Sequence, residues 1–134
     1  MYILPLLYAA AEARIFSYAP YSDFSVGAAV LTRNNRIYSG TNVENASFGA
    51  TICAERAAIC TALSSGEREF RAIAIVGGSA PLKPCGICRQ FLSEFGDMSV
   101  ICSSASGSYT VTTLSALYPD AFVSFKKGYG YTYG

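Results

Sequence analysis

The sequence predicts an α/β domain with helices on both faces of one sheet. Three observations carry that prediction. Helical and strand-length apolar segments alternate along the chain. No repeat or low-complexity linker divides its 134 residues, which suit a single domain. Hydrophobic residues make up 51%, enough for a core and too many for a disordered chain.

The elements follow in order. Leu4, Leu7, Tyr8, Ala11, Ile15 and Tyr18 recur at helical spacing, which predicts a helix over roughly the first 17 residues. Ala19-Pro20-Tyr21-Ser22 ends it. Residues 26–31 form an apolar run of strand length, Arg33-Asn34-Asn35 a turn, and Ile37-Tyr38 a second strand, together a hairpin. Residues 41–50 read as a polar loop of a length that is often functional. Thr51 is the expected cap of a helix running to about Ser65, where Gly66 stops it. That helix is apolar almost all round and belongs in the interior. A strand over 72–76 ends at Gly77-Gly78, and a helix over 86–95 ends at Gly96. Two short strands, 99–102 and 109–112, precede a short helix at 114–118. The domain is expected to span 1–125. Residues 126–134 form a Gly/Tyr-rich tail, expected to be mobile.

Charge narrows the function. Ten basic residues against nine acidic give a net charge of +1, without the Lys/Arg clustering of a binder of nucleic acid or anionic membrane. The uncharged run 1–11 is too short to span a bilayer, Pro5 interrupts it, and no positive leader segment precedes it. A cytoplasmic protein is expected. Charged residues are only 14%, against about 25% in an average soluble domain. Burial of surface against other copies of the chain would explain this deficit.

The chain has no histidine, so imidazole triads and imidazole metal ligands are excluded. It has five cysteines, an odd number that argues for metal or redox use over a disulfide framework. Cys85 and Cys88 form a Cys-x-x-Cys pair at the start of one predicted helix, and Cys53 opens another. Helix starts favour thiolates. Three thiolates with an open fourth position are the pattern of a catalytic zinc. Cys60 lies about 10 Å along the helix from Cys53, too far to share one ion with it. Cys102 reads as a small buried hydrophobe, although a fourth ligand closing a structural zinc site stays open. So does a dithiol redox pair at Cys85 and Cys88. Glu55, two residues past Cys53, shifts the balance, because a carboxylate beside an open zinc can take and return a water proton. Glu55 and Arg56 also admit a plainer reading, as a pair satisfied by charges elsewhere.

Four stretches carry a resemblance. They are Tyr21-Ser22-Asp23-Phe24-Ser25-Val26-Gly27-Ala28-Ala29, Asn42-Val43-Glu44-Asn45-Ala46-Ser47, Cys53-Ala54-Glu55-Arg56 and Pro84-Cys85-Gly86-Ile87-Cys88-Arg89-Gln90. A weaker fifth is Leu117-Tyr118-Pro119-Asp120-Ala121-Phe122. In this order, over nearly the whole chain, the set resembles the small homotetrameric zinc-dependent cytidine deaminases.

The resemblance implies a three-layer α/β/α sandwich with a mixed five-stranded sheet. It implies one Zn²⁺ per chain on Cys53, Cys85 and Cys88, and Glu55 as the proton shuttle. The implied reaction is hydrolytic deamination of cytidine and 2′-deoxycytidine to uridine and 2′-deoxyuridine with release of ammonia, a step of pyrimidine salvage. Phe24 would pack against the base, the backbone N–H of Ala54 would meet the base carbonyl, and Asn42 and Glu44 would hold the ribose hydroxyls. Arg56 would hydrogen-bond the sulfurs and withdraw the net −1 that three thiolates leave on Zn²⁺; Arg89 is a candidate assistant. Ala46, Phe48 and Phe122 are the candidates for contacts with a neighbouring subunit's active site in a homotetramer, and each also has a plain core reading. Phe48 stands where the family usually has Tyr, Ser25 where Pro is common, and the tail is not a family feature. A related nucleoside such as blasticidin S is the alternative substrate; the Phe24 segment and the Asn42/Glu44 loop favour cytidine. A polynucleotide substrate is disfavoured by the near-zero charge.

Overall fold

A computed structural model describes residues 1–123. The expected 126–134 tail lies outside the described residues. The helices are α1 (Ile3–Arg14), α2 (Ala54–Ser64), α3 (Gly86–Ser93) and α4 (Leu114–Leu117). The strands are β1 (Gly27–Thr32), β2 (Ile37–Thr41), β3 (Phe70–Val76), β4 (Ser99–Ser103) and β5 (Tyr109–Thr113). They form one sheet in the order β2-β1-β3-β4-β5. β1 runs antiparallel to β2 and β3, β3 is parallel to β4, and β5 is antiparallel to β4. The parallel pair needs a crossover, which α3 supplies.

Period-two alternation divides the core. Ala28 and Val30 of β1, Ile73 and Ile75 of β3, and Val100 and Cys102 of β4 face α2 and α3. Ala29 and Leu31, Ala72, Ala74 and Val76, and Ile101 face α1. The predicted three-layer sandwich is therefore what forms. Two glycines set how closely helices approach the sheet. A Cβ on Gly27 would lie 1.9 Å from the Ala10 carbonyl oxygen, and one on Gly40 would lie 2.3 Å from the Ala58 amide nitrogen. Only glycine lets α2 lie that close to β2.

Several local expectations change. α1 stops at Arg14, and it buries Leu6, Leu7 and Ala10 instead of the stripe through Leu4, Tyr8 and Ile15, which are exposed. The helix is apolar nearly all round, so periodicity alone cannot pick its inner face. Pro5 sits in the first turn, where a missing N–H costs nothing. Thr51 does not cap α2. Ile52 bridges to Val43, so the backbone stays extended through it and Cys53 takes the cap position. The Thr51 hydroxyl instead accepts from the Asn45 N–H. Nor is α2 buried all round, because Cys60 and Thr61 face outward. The predicted loop is partly ordered: Val43 bridges to Tyr18 as well, and a 3₁₀ turn covers Phe48–Ala50. Gly66 and Gly96 end their helices with φ of +96° and +89°. Among the described residues, no helix is long and apolar enough to cross a membrane.

Candidate metal centre and active site

The N-termini of α2 and α3 bring three sulfurs together. Cys53 caps α2, Cys85 caps α3, and Cys88 sits in the first turn of α3. Their Sγ atoms all lie within 4.8 Å of one another, and Cys53 and Cys85 are 3.7 Å apart. Neither helix has a side-chain cap bond, so the unpaired N–H groups of both first turns surround the sulfurs. That partial positive charge favours thiolate. The Cys53 thiol is lowered to about 5, first by its hydrogen bond with Cys88 and then by Arg56, against the cost of burial. The Cys88 thiol is pushed up by the same bond and by its burial. Three soft donors at this spacing fit one tetrahedral ion with Zn–S near 2.3 Å, whose sulfurs stand roughly 3.8 Å apart. The donor set therefore fits zinc and leaves a fourth position.

Glu55 follows Cys53 in the first turn of α2 and is buried. Burial raises its carboxyl to about 7, and the charge of Cys53 adds to the rise. Such a group can hold or release a proton at neutral pH. Arg56 points its Nη2 at the Cys53 Sγ, 3.5 Å away, and at the Thr51 carbonyl, 3.4 Å away. The Cys53 sulfur raises its pKa further. Among the described residues, its Nε is buried without a hydrogen-bond partner. Cys60 and Cys102 stay outside the cluster: Cys60 is exposed along α2, and Cys102 is core on β4.

A second group of residues comes from the exit of β2 and the segment before β1. Asn42 accepts from the Val26 N–H at 3.0 Å and donates to the Phe24 carbonyl at 2.8 Å. Glu44 accepts from the Tyr21 and Ser22 N–H groups at 2.9 and 3.1 Å and from the Ser22 hydroxyl. The Ser22 hydroxyl bond holds its carboxyl below the usual value. Asp23 takes a left-handed φ of +56°, and the Phe24 ring comes to lie against Gly78. A Cβ there would stand 3.4 Å from the ring, and Gly78 has a φ of +70°. The other side of the ring is open, since Phe24 remains 43% exposed.

Residues 5–104 match the family model described as the cytidine and deoxycytidylate deaminase zinc-binding region. The chain belongs to this family. It is 45% identical over 114 residues to a cytidine deaminase of Sporosarcina psychrophila, covering 83% of this chain and 84% of that one. It is 43% identical over 122 residues to a cytidine deaminase of Halalkalibacterium halodurans, covering 89% and 92%. A crystal structure of a Burkholderia pseudomallei cytidine deaminase superposes with a TM-score of 0.87 at 46% identity, over 91% of this chain and all of that one.

Three of the remaining candidates of this deaminase-family chain lie outward. Ala46, Phe48 and Phe122 are exposed, which removes their core readings within one chain. The Phe48 ring meets Tyr21 edge-on at 6.5 Å. Ala54 is fully buried at the head of α2. Arg89 donates to the Pro84 and Leu117 carbonyls at 2.8 and 2.9 Å, tying α4 to the loop before Cys85. Gln90 clamps the Phe122 backbone through both ends of its amide, at 2.7 and 3.2 Å. Sequence reasoning assigns no role to Ser22 or Gln90, although both stand inside the quoted motifs. Ser17 also escapes it, and there no local signal exists.

Proposed function

We propose that this chain deaminates cytidine and 2′-deoxycytidine hydrolytically, releasing ammonia and forming uridine and 2′-deoxyuridine. The observation that carries this reading is the three-sulfur cluster with a buried, protonatable Glu55 in the adjoining helical turn. Cys53, Cys85 and Cys88 would hold the zinc. Zinc, when bound, supplies the Lewis acidity that makes water a nucleophile near neutral pH. Glu55 Oε takes a proton from the water that adds at C4 and delivers one to N3. It then carries the remaining proton, from the hydroxyl added at C4, to the 4-amino nitrogen; the C4–N bond breaks, the C4 carbonyl forms and ammonia leaves. A pKa near neutrality serves both directions of transfer.

The other residues bind and orient. The Ala54 N–H, at the head of α2, donates to the base carbonyl. Phe24 packs its open side on the base. Glu44 accepts a sugar hydroxyl proton. Asn42 meets the sugar through an amide N–H, because the acceptor side of its amide is already engaged. Contacts dedicated to hydroxyls reject substrates that lack them. Arg56 draws charge off the Cys53 sulfur.

The same reading places the enzyme in a homotetramer whose sites are completed by Ala46, Phe48 and Phe122 of neighbours. The low charge content and the outward aromatic rings, Phe48 at 79% exposure, support it. The free thiols suit a reducing cytoplasm. Residues 1–125 are the working domain, with 126–134 as an appendage. The test is zinc content together with loss of cytidine absorbance, for wild type and Glu55→Gln. One zinc per chain in both proteins, with turnover only in the wild type, is expected. Zinc without cytidine turnover would remove this substrate and bring blasticidin S forward; absence of zinc from freshly reduced protein would sink the mechanism.

A further inference from the structure

Asn42 has four hydrogen-bonding positions, two lone pairs on Oδ1 and two N–H groups on Nδ2. The Val26 N–H can only donate and the Phe24 carbonyl can only accept, so together they fix which way the amide faces. The second lone pair of Oδ1 is taken by the hydroxyl of Ser17, 25 residues earlier. Ser17 lies just past α1, with its N–H on the Arg14 carbonyl. Its neighbour Tyr18 is held from both sides of the strand exit. The Tyr18 N–H donates to the Asn42 carbonyl at 3.1 Å, and the Glu44 N–H donates to the Tyr18 carbonyl at 2.8 Å.

We infer that Ser17 is a positioning residue for sugar recognition, acting through Asn42. By occupying the free lone pair of Oδ1 it leaves the amide one unused group, an N–H. A sugar hydroxyl therefore accepts a hydrogen bond from Asn42 and donates its own O–H to the carboxylate of Glu44. Asn42 and Glu44 are two apart on extended backbone and so project to the same side. Only a substituent that both accepts and donates satisfies the pair. Without the Ser17 hydroxyl, Oδ1 has an open lone pair that water fills, and the amide loses one of its three restraints. This inference rests on the nucleoside reading above.

The backbone bonds of Tyr18 hold the segment whatever side chain stands at 17, so Ser17→Ala deletes only the hydroxyl. The experiment is steady-state kinetics of zinc-loaded wild type, Ser17→Ala and Ser17→Thr on cytidine and on 2′,3′-dideoxycytidine. For Ser17→Ala on cytidine, KM should rise about three- to tenfold, the worth of one hydrogen bond, with kcat within about twofold. On the dideoxy substrate wild type and Ser17→Ala should match, because it lacks the 2′- and 3′-hydroxyls that the pair would hold. Ser17→Thr, which keeps the hydroxyl, should recover most of the cytidine KM. Equal losses on both substrates, or an unchanged cytidine KM, would overturn the role of Ser17 alone. A wild type that binds zinc but never turns over cytidine overturns the substrate reading and this inference with it.

Discussion

The two halves of the site are built differently. At the metal end, three sulfurs and a carboxyl come from the first turns of two helices, and two of the four, Cys88 and Glu55, are buried. Few bonds hold them, because the helix ends themselves aim the groups. At the end proposed for the sugar, Asn42 and Glu44 are held by side-chain bonds to the segment 17–26, across 16 to 25 residues of sequence. The first half is set by residue type and local geometry, the second by which distant segments meet. Damage should follow that division. Losses at the metal end should be close to all-or-none in kcat, and losses at the sugar end graded in KM.

The largest effect is expected from Cys88→Ser. It should reduce zinc to a small fraction of one per chain and turnover by about a thousandfold or more, since a hydroxyl is a poor zinc ligand beside thiolates. Atomic absorption on gel-filtered protein checks the first part, and a variant that keeps zinc and activity would break the division. Arg56→Gln should retain zinc and lose roughly 10–100-fold in kcat with little change in KM, the range for groups that tune metal ligands. An effect confined to KM would move Arg56 to the sugar side. Asn42→Ala should leave zinc in place and raise the cytidine KM by about tenfold or more, because it removes a hydrogen bond to the sugar.

The smallest effect is one of stability and isolates burial from catalysis. Neither apolar core cluster includes the three sulfurs that could hold the metal, so chelated protein should stay folded. In it, Glu55 titrates near 4.5 when unfolded and at about 7 when folded. Through Glu55 the folded state binds more protons across that window, so this group's contribution to wild-type stability falls as pH rises from 4.5 to 7. Glu55→Gln has no such group, so its stability should gain on wild type across the window, while the lowered Cys53 thiol acts on both proteins alike. By about pH 8 the variant should exceed wild type by about 2–3 kcal/mol in urea titrations, with no gain of this origin at about pH 4. An equal difference at both pH values would show that burial of the carboxylate is not the cause.

Much of this was legible in the chain. Among the described residues, the five strands and four α-helices stand where the apolar runs and glycines put them, with ends shifted by a few residues. Among the cysteines, Cys60 is too far along its helix to join Cys53, whereas Cys102 stayed open as a fourth ligand until the structure put it in the core, away from the cluster of Cys53, Cys85 and Cys88. The inner face of α1 was not legible, because Leu4 and Tyr8 are as apolar as Leu6 and Leu7 and only the small residues of β1 and β3 choose between them. The cap of α2 was missed because Thr51 is the better local cap. The bridge between Val43 and Ile52 overrides it by keeping that stretch extended.

The sequence by itself determined the chemistry: which residues can bind zinc, which can shuttle a proton, and that no imidazole takes part. These are properties of residue types and of spacings within one helical turn. Tertiary structure alone decided how close the helices lie to the sheet, where Gly40 admits the backbone of α2 at Ala58. It also decided that Arg89 serves backbone carbonyls, and that Ser17 closes the last lone pair of Asn42. Such facts depend on which surfaces meet once the core is packed, and no local pattern encodes a bond between groups 25 residues apart.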